Sequence, residues 1–417
     1  MNAVRAGAWS AMATAARLLA ALVIIKLVAW IAGPVGVGKL GQFMSLMSIL
    51  AVLAGGGISS AIVKYVAEYR YDAHLLDRLL AAALWYALSA SVLTGIVALV
   101  ASRPLAAWLL GDVHFASLIR ILAFAQIGMA LANYILAVIN GFMDVRRLAF
   151  IQVTGSLVGM IVAVWLAKWL QLYGALLAMI ITQLLWLAVG LPAWRRSPYF
   201  RPGMWRLRFD AEMTWRLAAF SVMTLTSALM PPLVGIAVRD HLALQFGWEQ
   251  VGYWQAVSKV SDAYLLFLTT AINVYYLPKL AATEAPEDIV RELRQAWRIV
   301  LPLVVGLALL VYLARDGITH MLFSADFGSA NALYGPQLVG DVIKIASFVL
   351  SYLMLAKAMT RLFVVSECVF ALTYVALVYV LTAHYGLIGA MYAFALNYVG
   401  YLVFTAVVAH RYLGVRA

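Results

Sequence analysis

WEQVGYWQAVSKVSDAYLLFLTTAINVYYLPKL occupies residues 248 to 280. It is long enough to cross a bilayer, since a spanning helix needs roughly 20 mostly apolar residues. Lys259 and Asp262 nevertheless stand well inside the apolar run. A charge at the centre of a spanning helix costs about 2.5–3.5 kcal/mol on insertion scales. Three residues apart on a helix, the two project from one face and partly neutralise each other. Gln255 lies one turn above, so a polar stripe of Gln255, Lys259 and Asp262 must face protein or water rather than lipid. The plain structural reading is an ion pair that locks two helices. The functional reading is an intramembrane charge that handles substrate or ions.

The whole chain repeats this pattern of apolar spans with sparse embedded charge. Its 417 residues are 65% hydrophobic and 12% charged, whereas soluble chains are roughly 25% charged. The composition predicts an all-α polytopic membrane protein. The net charge of +12 does not indicate nucleic acid, because the basic residues sit in short loops between spans. The single cysteine, Cys368, excludes an internal disulfide and makes a cysteine-based metal site implausible. The apolar N-terminal stretch runs past signal-peptide length and contains Arg17 and Lys26, so it reads as the first span.

Length and flanking charge predict about twelve spans, at roughly 9–31, 41–66, 79–101, 118–140, 149–169, 174–194, 216–238, 250–278, 295–314, 338–358, 361–383 and 387–410. With the N-terminus inside, the inward segments collect most of the basic residues, from Arg5 through Arg195, Arg196, Arg201, Arg206 and Arg208 to Arg416. The outward segments hold only Lys39, Arg103, Lys168, Arg239 and Arg315. That asymmetry predicts both termini in the cytoplasm. Residues 195–215, with Pro198, Pro202 and Gly203, read as a basic cytoplasmic linker held at the anionic inner leaflet. It separates an N-terminal six-helix lobe (1–194) from a C-terminal one (216–417). Glu68–Arg78 and Glu284–Arg298 read as short, solvated amphipathic connectors.

The two halves resemble each other. KLGQFMSLMSI (39–49) lines up with QVGYWQAVSKV (250–260), pairing Gly41 with Gly252 and Phe43 with Trp254. Tyr173-Gly174 lines up with Tyr385-Gly386, and Arg147-Leu148 with Arg361-Leu362. The offsets agree at roughly 211 to 214. Six spans per repeat predict a pseudo-two-fold axis along the membrane normal, which is a transporter signature.

Candidate chemistry follows by elimination. GPVGVGKL (33–40) suggests a phosphate-binding loop, but Leu40 replaces the Ser or Thr needed for magnesium, and no strand precedes it. It reads as a tight turn between the first two spans. The histidines at 74, 114, 241, 320, 384 and 410 have no metal-ligand spacing, so no metal or cofactor is expected. Gly55-Gly56-Gly57 reads as a bending point or a close packing contact in the second span. What remains is a set of embedded charges. Arg17, Lys26, Lys259 and Lys344 oppose Asp262, Asp341 and Glu367, with Lys64 and Lys357 near span ends. Arg120, Lys64 and Lys357 have the weakest functional claim, because such side chains snorkel. The excess of positive charge suits an anion such as phosphate or carboxylate.

GPVGVGKLGQF, AGGGISSAIVKYVAEY, YWQAVSKVSDAYL, QLVGDVIKIASFVLSY and the repeat layout together resemble the Wzx-type flippases. These belong to the multidrug/oligosaccharidyl-lipid/polysaccharide exporter group. The resemblance covers essentially the whole chain and is most specific around Ser258–Tyr264. Within the family, it is strongest to the branch that handles the enterobacterial common antigen repeat unit. It implies two six-helix lobes around a cleft in a bacterial inner membrane, and a substrate of undecaprenyl pyrophosphate carrying a short oligosaccharide. It further implies passage from the cytoplasmic to the periplasmic leaflet by alternating access, with the polymerase and chain-length regulator of the same pathway as partners. Carried onto this chain, the family's embedded charges are Lys26, Lys64, Lys259, Asp262, Asp341, Lys344 and Glu367; Arg17 is a departure. The expected roles are substrate binding for Arg17, Lys26, Lys64, Lys259 and Lys344, and ion coupling for Asp262, Asp341 and Glu367. The alternatives are an O-antigen repeat-unit flippase and a drug/cation antiporter on the same fold. A polymerase or ligase is disfavoured by the shortness of the longest outward loop, Arg315–Gln337. The charge asymmetry predicts that cysteines at positions 201 and 287 resist an impermeant thiol reagent in intact cells, while one at 329 reacts. Labelling at 201 in cells with a sealed inner membrane would overturn the orientation.

Overall fold

The computed structural model describes residues 3–205, 207–272 and 276–414. Arg206 and Arg416, and the side chain of Arg5, lie outside the described residues. Among the described residues the regular structure is entirely helical. The elements are α1 (Ala3–Ala54), α2 (Ser59–Tyr69), α3 (Ala73–Val100), α4 (Ser102–Leu110), α5 (Ala116–Gly141), α6 (Val145–Arg195), α7 (Ala211–Phe246), α8 (Trp248–Ala271), α9 (Leu277–Ala282), α10 (Pro286–Leu313), α11 (Arg315–Leu322), α12 (Tyr334–Ala356), α13 (Thr360–Tyr385) and α14 (Gly389–Gly414). Among the described residues, seven helical stretches are long and apolar enough to span a membrane. Three of them run for 63, 51 and 55 residues, enough for two crossings each at 1.5 Å per residue. The bent α7 and the more polar α8 bring the helical segments of spanning length to twelve.

The double-length helices are divided by single residues. Gly33 breaks α1 with φ 58 and ψ −158, and Gln171 breaks α6 with φ 55 and ψ −134. Residues 33–40 are therefore not a loop between spans. Helix resumes at once because Pro34 fits a first turn, where its missing N–H costs nothing. The same departures recur in the second half. Gly247 (φ 85), Ala358 (φ 53) and Gly386 (φ 67) follow Gly33, Met143 (φ 59) and Gln171 at about 214 or 215 residues. A Cβ on Gly174 would lie 2.2 Å from the Leu166 carbonyl oxygen, and one on Gly389 2.2 Å from that of Leu381. Gly389, not Gly386, is thus the counterpart of Gly174, and the sequence pairing at this hairpin shifts by three residues. The repeat is one of backbone breaks, which a residue-by-residue match registers only approximately.

The chain forms two compact units. One comprises residues 1–32 and 39–236, the other 33–38 and 237–417. In the first unit the Gly55-Gly56-Gly57 stretch does both things expected of it. Gly56 (φ 59) and Gly57 (φ 71) end α1 in left-handed geometry, and added Cβ atoms would meet Tyr86 at 2.3 Å and Leu225 at 2.5 Å. The carbonyls freed by the break are satisfied from elsewhere, as hydrocarbon demands. Asn133 Nδ2 donates to Ala51 O at 3.1 Å, and Thr224 Oγ1 donates to Gly57 O at 2.9 Å. Thr224 and Ser221 also bond back to carbonyls of their own helix, where α7 bends by 42°; such back-bonding bends helices.

Three sequence expectations change. Glu68–Arg78 is not a separate amphipathic segment: α2 runs to Tyr69, and Asp72 caps α3 by accepting from His74 N and Leu75 N at 3.0 Å. Glu284–Arg298 is the first part of the continuous α10, anchored by Lys279–Glu292 at 2.6 Å. The basic segment 195–215 is folded onto the first unit. Tyr199 stacks on Phe142, Phe209 meets Trp85 edge-on, and Asp210 pairs with Arg78 at 2.8 Å. The hydrogen bond from Arg78 holds the Asp210 carboxyl below its usual range. In the second unit, Gly38 and Gly252 bring the Gly33–Gly38 segment against α8, since a Cβ on Gly252 would lie 2.0 Å from Pro34 O. Gly57→Ala combines a strained φ with a collision at Leu225, and should cost roughly 1–3 kcal/mol. Thermal unfolding in detergent measures this, with Gly317→Ala, which meets nothing within 4 Å, as the neutral control. Equal melting temperatures for the two variants would refute the packing role.

Candidate functional site

Three candidate cations belong to the first unit. Arg17 and Lys26 lie on α1, nine residues apart, which is about two and a half helical turns. They therefore point to opposite sides of the helix, and both are exposed. Arg17 Nη2 reaches Thr14 Oγ1 at 3.5 Å. Lys64, also exposed, projects from α2 with its Nζ 5.0 Å from the Tyr65 ring and 5.5 Å from the Phe220 ring. None of the three makes an ion pair with a carboxylate among the described residues. At membrane depth such exposed cations must face water or protein rather than lipid.

The second unit gathers the other five candidates on α8, α12 and α13. Asp341, on α12, is fully buried. One carboxylate oxygen accepts from Ser261 Oγ at 2.5 Å and from Tyr264 OH at 2.8 Å; the other accepts from Gln337 Nε2 at 3.1 Å. Gln337 Nε2 also approaches Ser261 Oγ at 3.2 Å. Ionised Asp is acceptor-only, so three converging donors suit it. Ser261 and Tyr264 are three apart on α8 and share a face, which cross-links α8 to α12. Neither was singled out from the sequence, because hydroxyl residues in an apolar run carry no charge signal.

Lys344, one turn beyond Asp341, does not form an ion pair with it. Its Nζ sits 5.8, 5.7 and 5.6 Å from the rings of Phe348, Phe394 and Tyr398. Gly340 permits this arrangement: a Cβ there would lie 2.5 Å from Phe394, so only glycine lets α14 bring its rings in so closely. Ring faces carry negative charge and stabilise an ammonium without neutralising it. Lys344 also feels the charges of Asp262, Asp341 and Glu367. Glu367, half-buried on α13, lies beside Tyr401.

Lys259 and Asp262 form the expected pair at 3.0 Å, with the carboxylate side chain 58% exposed and the lysine 27%. Gln255 does not continue an accessible stripe with them. It is buried, and its Oε1 accepts from Arg239 Nε at 2.7 Å. Arg239 corrects the sequence reading. It lies within α7 rather than in an outward segment, is buried, and stands 5.6 Å from the Trp254 ring. Charge at Arg239 reads as the end of the seventh span at residue 238, whereas the helix continues to Phe246. Arg239 acts electrostatically on Asp262, so that carboxylate sits among Arg239, Lys259 and Lys344. Of the candidates together with Arg239, this unit holds three cations and three carboxylates, and the first unit holds cations alone. Among the described residues no group of His, Cys, Asp and Glu has the arrangement of a metal site.

The architecture matches solved transporters. A multidrug resistance transporter of the MATE family, in an inward-facing conformation, has a TM-score of 0.79 at 15% identity, over 96% of this chain and 95% of its own. The lipid II flippase MurJ, in an inward closed conformation, has a TM-score of 0.72 at 13% identity, over 97% and 87%. The protein is thus an all-helical membrane protein with the fold of the MOP superfamily transporters. The family of polysaccharide biosynthesis proteins matches residues 27–331. Lipid III flippases of Escherichia coli (strain K12) and Shigella flexneri are each 34% identical over 408 residues, 96% of this chain and 96% of theirs. The chain belongs to the polysaccharide biosynthesis protein family.

Asp341→Leu strands two hydroxyls and an amide that converge on one acceptor, which should cost roughly 2–4 kcal/mol. Asp341→Asn, which keeps one acceptor oxygen, should cost less. Melting temperatures in detergent give the order, and a Leu variant as stable as wild type would show that the cluster does not hold α8 to α12.

Proposed function

We propose that the protein is a flippase of the bacterial inner membrane, a transporter rather than an enzyme. It moves an undecaprenyl-pyrophosphate-linked oligosaccharide, the lipid III repeat unit of enterobacterial common antigen, from the cytoplasmic to the periplasmic leaflet. Full-length similarity to the Lipid III flippases supports the substrate class. The observation that carries the reading is Lys344, an ammonium held by three aromatic rings and left without a carboxylate within ion-pair distance. A cation kept charged but unneutralised is available to phosphate oxygens, and rings beside it offer faces to sugars. The head group must be shielded while it crosses, because a pyrophosphate in hydrocarbon is prohibitively costly. Arg17, Lys26 and Lys64 extend the same provision in the first unit.

Ion coupling enters through the exposed pair. Substrate phosphate competes with Asp262 for Lys259. That competition frees the Asp262 carboxylate from its lysine and links coupling-ion binding to substrate occupancy. Asp262 suits this role better than Asp341, whose charge is satisfied by three internal donors. Glu367 is the remaining candidate. The polymerase and chain-length regulator of the pathway are proposed partners that would consume the delivered unit. A drug/cation antiporter on the same fold would favour accessible carboxylates over accessible cations, and an O-antigen unit differs only in its glycan.

The decisive experiment reconstitutes the full chain in proteoliposomes and measures translocation of lipid-linked oligosaccharide with and without an imposed pH gradient. Lys26→Ala and Lys259→Ala should each lower transport at least about tenfold, the loss of one charge-assisted phosphate contact. Asp262→Asn should retain basal translocation and lose its stimulation by the gradient. Transport of an organic cation, with none of the lipid-linked oligosaccharide, would replace the flippase reading with the antiporter. Full gradient stimulation in Asp262→Asn would remove Asp262 from coupling.

A further inference from the structure

Two cations and three aromatic rings meet in the first unit where α2 ends and α7 begins. Lys64 Nζ lies 5.0 Å from the Tyr65 ring and 5.5 Å from the Phe220 ring of α7. Tyr65 stacks on Tyr69 with ring centroids 5.8 Å apart. Tyr69 OH in turn accepts from Arg216 Nη1 at 3.0 Å. Arg216 and Phe220 are four residues apart on α7, so they share a face and stand about 6 Å apart along its axis. The circuit sets the two positive charges beside neighbouring turns of one helix. Tyr69 is the last residue of α2, and Arg216 is in the second turn of α7. Both therefore lie toward the end that the charge asymmetry makes cytoplasmic.

Both cations are open to a ligand. Lys64 is exposed and turns to the rings, although Glu68 stands one turn along α2. Ring faces hold an ammonium without cancelling its charge. Arg216 pairs with Glu212 at 3.0 Å, and the two side chains are 47% and 56% exposed. The carboxylate does not depend on that pair, because its other oxygen meets Arg78 at 3.4 Å. An anion can take Arg216 without stranding Glu212, and a stranded partner is what makes such a contact costly to break. Tyr69 OH accepts from Arg216, so its own proton is still available to an acceptor.

We propose that Lys64 and Arg216 bind a diphosphate, one phosphate to each cation, with Tyr65 and Tyr69 between them. Resting on the flippase reading above, the occupant is the diphosphate of the lipid-linked substrate as it is taken up from the cytoplasmic leaflet. An ammonium and a guanidinium on neighbouring turns suit two linked phosphates, whereas a monophosphate engages one of them. The Tyr65 and Tyr69 rings carry hydroxyls and apolar faces, which suit the first sugar. Glu212 is the group that the phosphate displaces, so it weakens binding from outside the contact.

Native mass spectrometry of the full chain in detergent, titrated separately with farnesyl diphosphate, farnesyl monophosphate and phosphatidylglycerol, tests the site. The diphosphate should bind at least about tenfold more tightly than the monophosphate, the gain of a second charge-assisted contact. Arg216→Gln and Lys64→Gln should each abolish that preference, and Arg216→Lys should keep part of it. Glu212→Gln should tighten diphosphate binding, a gain that a purely structural bond between α2 and α7 does not give. An undiminished preference in Arg216→Gln, or weaker diphosphate binding in Glu212→Gln, would overturn the proposal. So would phosphatidylglycerol binding as tightly as the diphosphate and with the same dependence on Arg216, which would give the site to membrane lipid. Transport in proteoliposomes distinguishes the two failures. Wild-type protein that binds the diphosphate but moves no lipid-linked oligosaccharide removes the flippase reading and leaves the diphosphate site. Wild-type protein that moves it, with an unchanged KM in Arg216→Gln, removes the uptake role alone.

Discussion

Hydrocarbon offers no hydrogen bonds, so every backbone group and every charge inside the spans needs a partner within the protein. That constraint explains where the helices break and what stands beside each break. The gap after Ala54 leaves carbonyls that Asn133 and Thr224 satisfy from neighbouring helices. The divisions at Gly33 and Gln171 are one residue wide, so few backbone groups are freed. Glycine carries the tightest approaches, as at Gly252 against Pro34 and Gly340 against Phe394. Backbones and rings close on one another there because no Cβ intervenes.

The same constraint sorts the embedded charges into kinds. Asp341 is buried and accepts from three donors, two of which tie α12 to α8. Arg239 is buried and engaged with Gln255 and Trp254. Lys259 and Asp262 remain accessible and paired, which leaves the pair open to a competing anion. Lys344 lies between these cases, shielded by rings yet without an ion-pair partner. Two pairs with the same three-residue spacing, Lys259–Asp262 and Asp341–Lys344, thus meet different electrostatic environments.

The two halves share a skeleton and differ in charge. Three of the positive-φ residues of the first half recur about 214 or 215 residues on, and each half places a glycine against a carbonyl in its last hairpin. Counting from Met143 and Ala358, position 126 answers to position 341. Gln126 is buried like Asp341 but bonds to its own helix through Leu122 O at 3.2 Å. The polar site is common to both repeats, while the carboxylate and its hydroxyl partners belong to the second. One repeat therefore supplies accessible cations, and the other a balanced network of charges.

The sequence alone determined the all-helical membrane class, the approximate number of span-length helices and the internal repeat. Each depends on composition and period along the chain, and hydrocarbon imposes both directly. It also identified the Lys259–Asp262 pair, because partners three residues apart on one helix meet whatever surrounds them. The tertiary structure decided every partnership between helices. Ser261 and Tyr264 reach Asp341 from positions 77 to 80 residues away, and Lys344 meets rings from α14. By sequence the charge of Arg239 reads as the end of a span, whereas Gln255 and Trp254 of a neighbouring helix provide for it within the helix. Such contacts depend on how faces rotate and pack, and no local pattern in the chain records that.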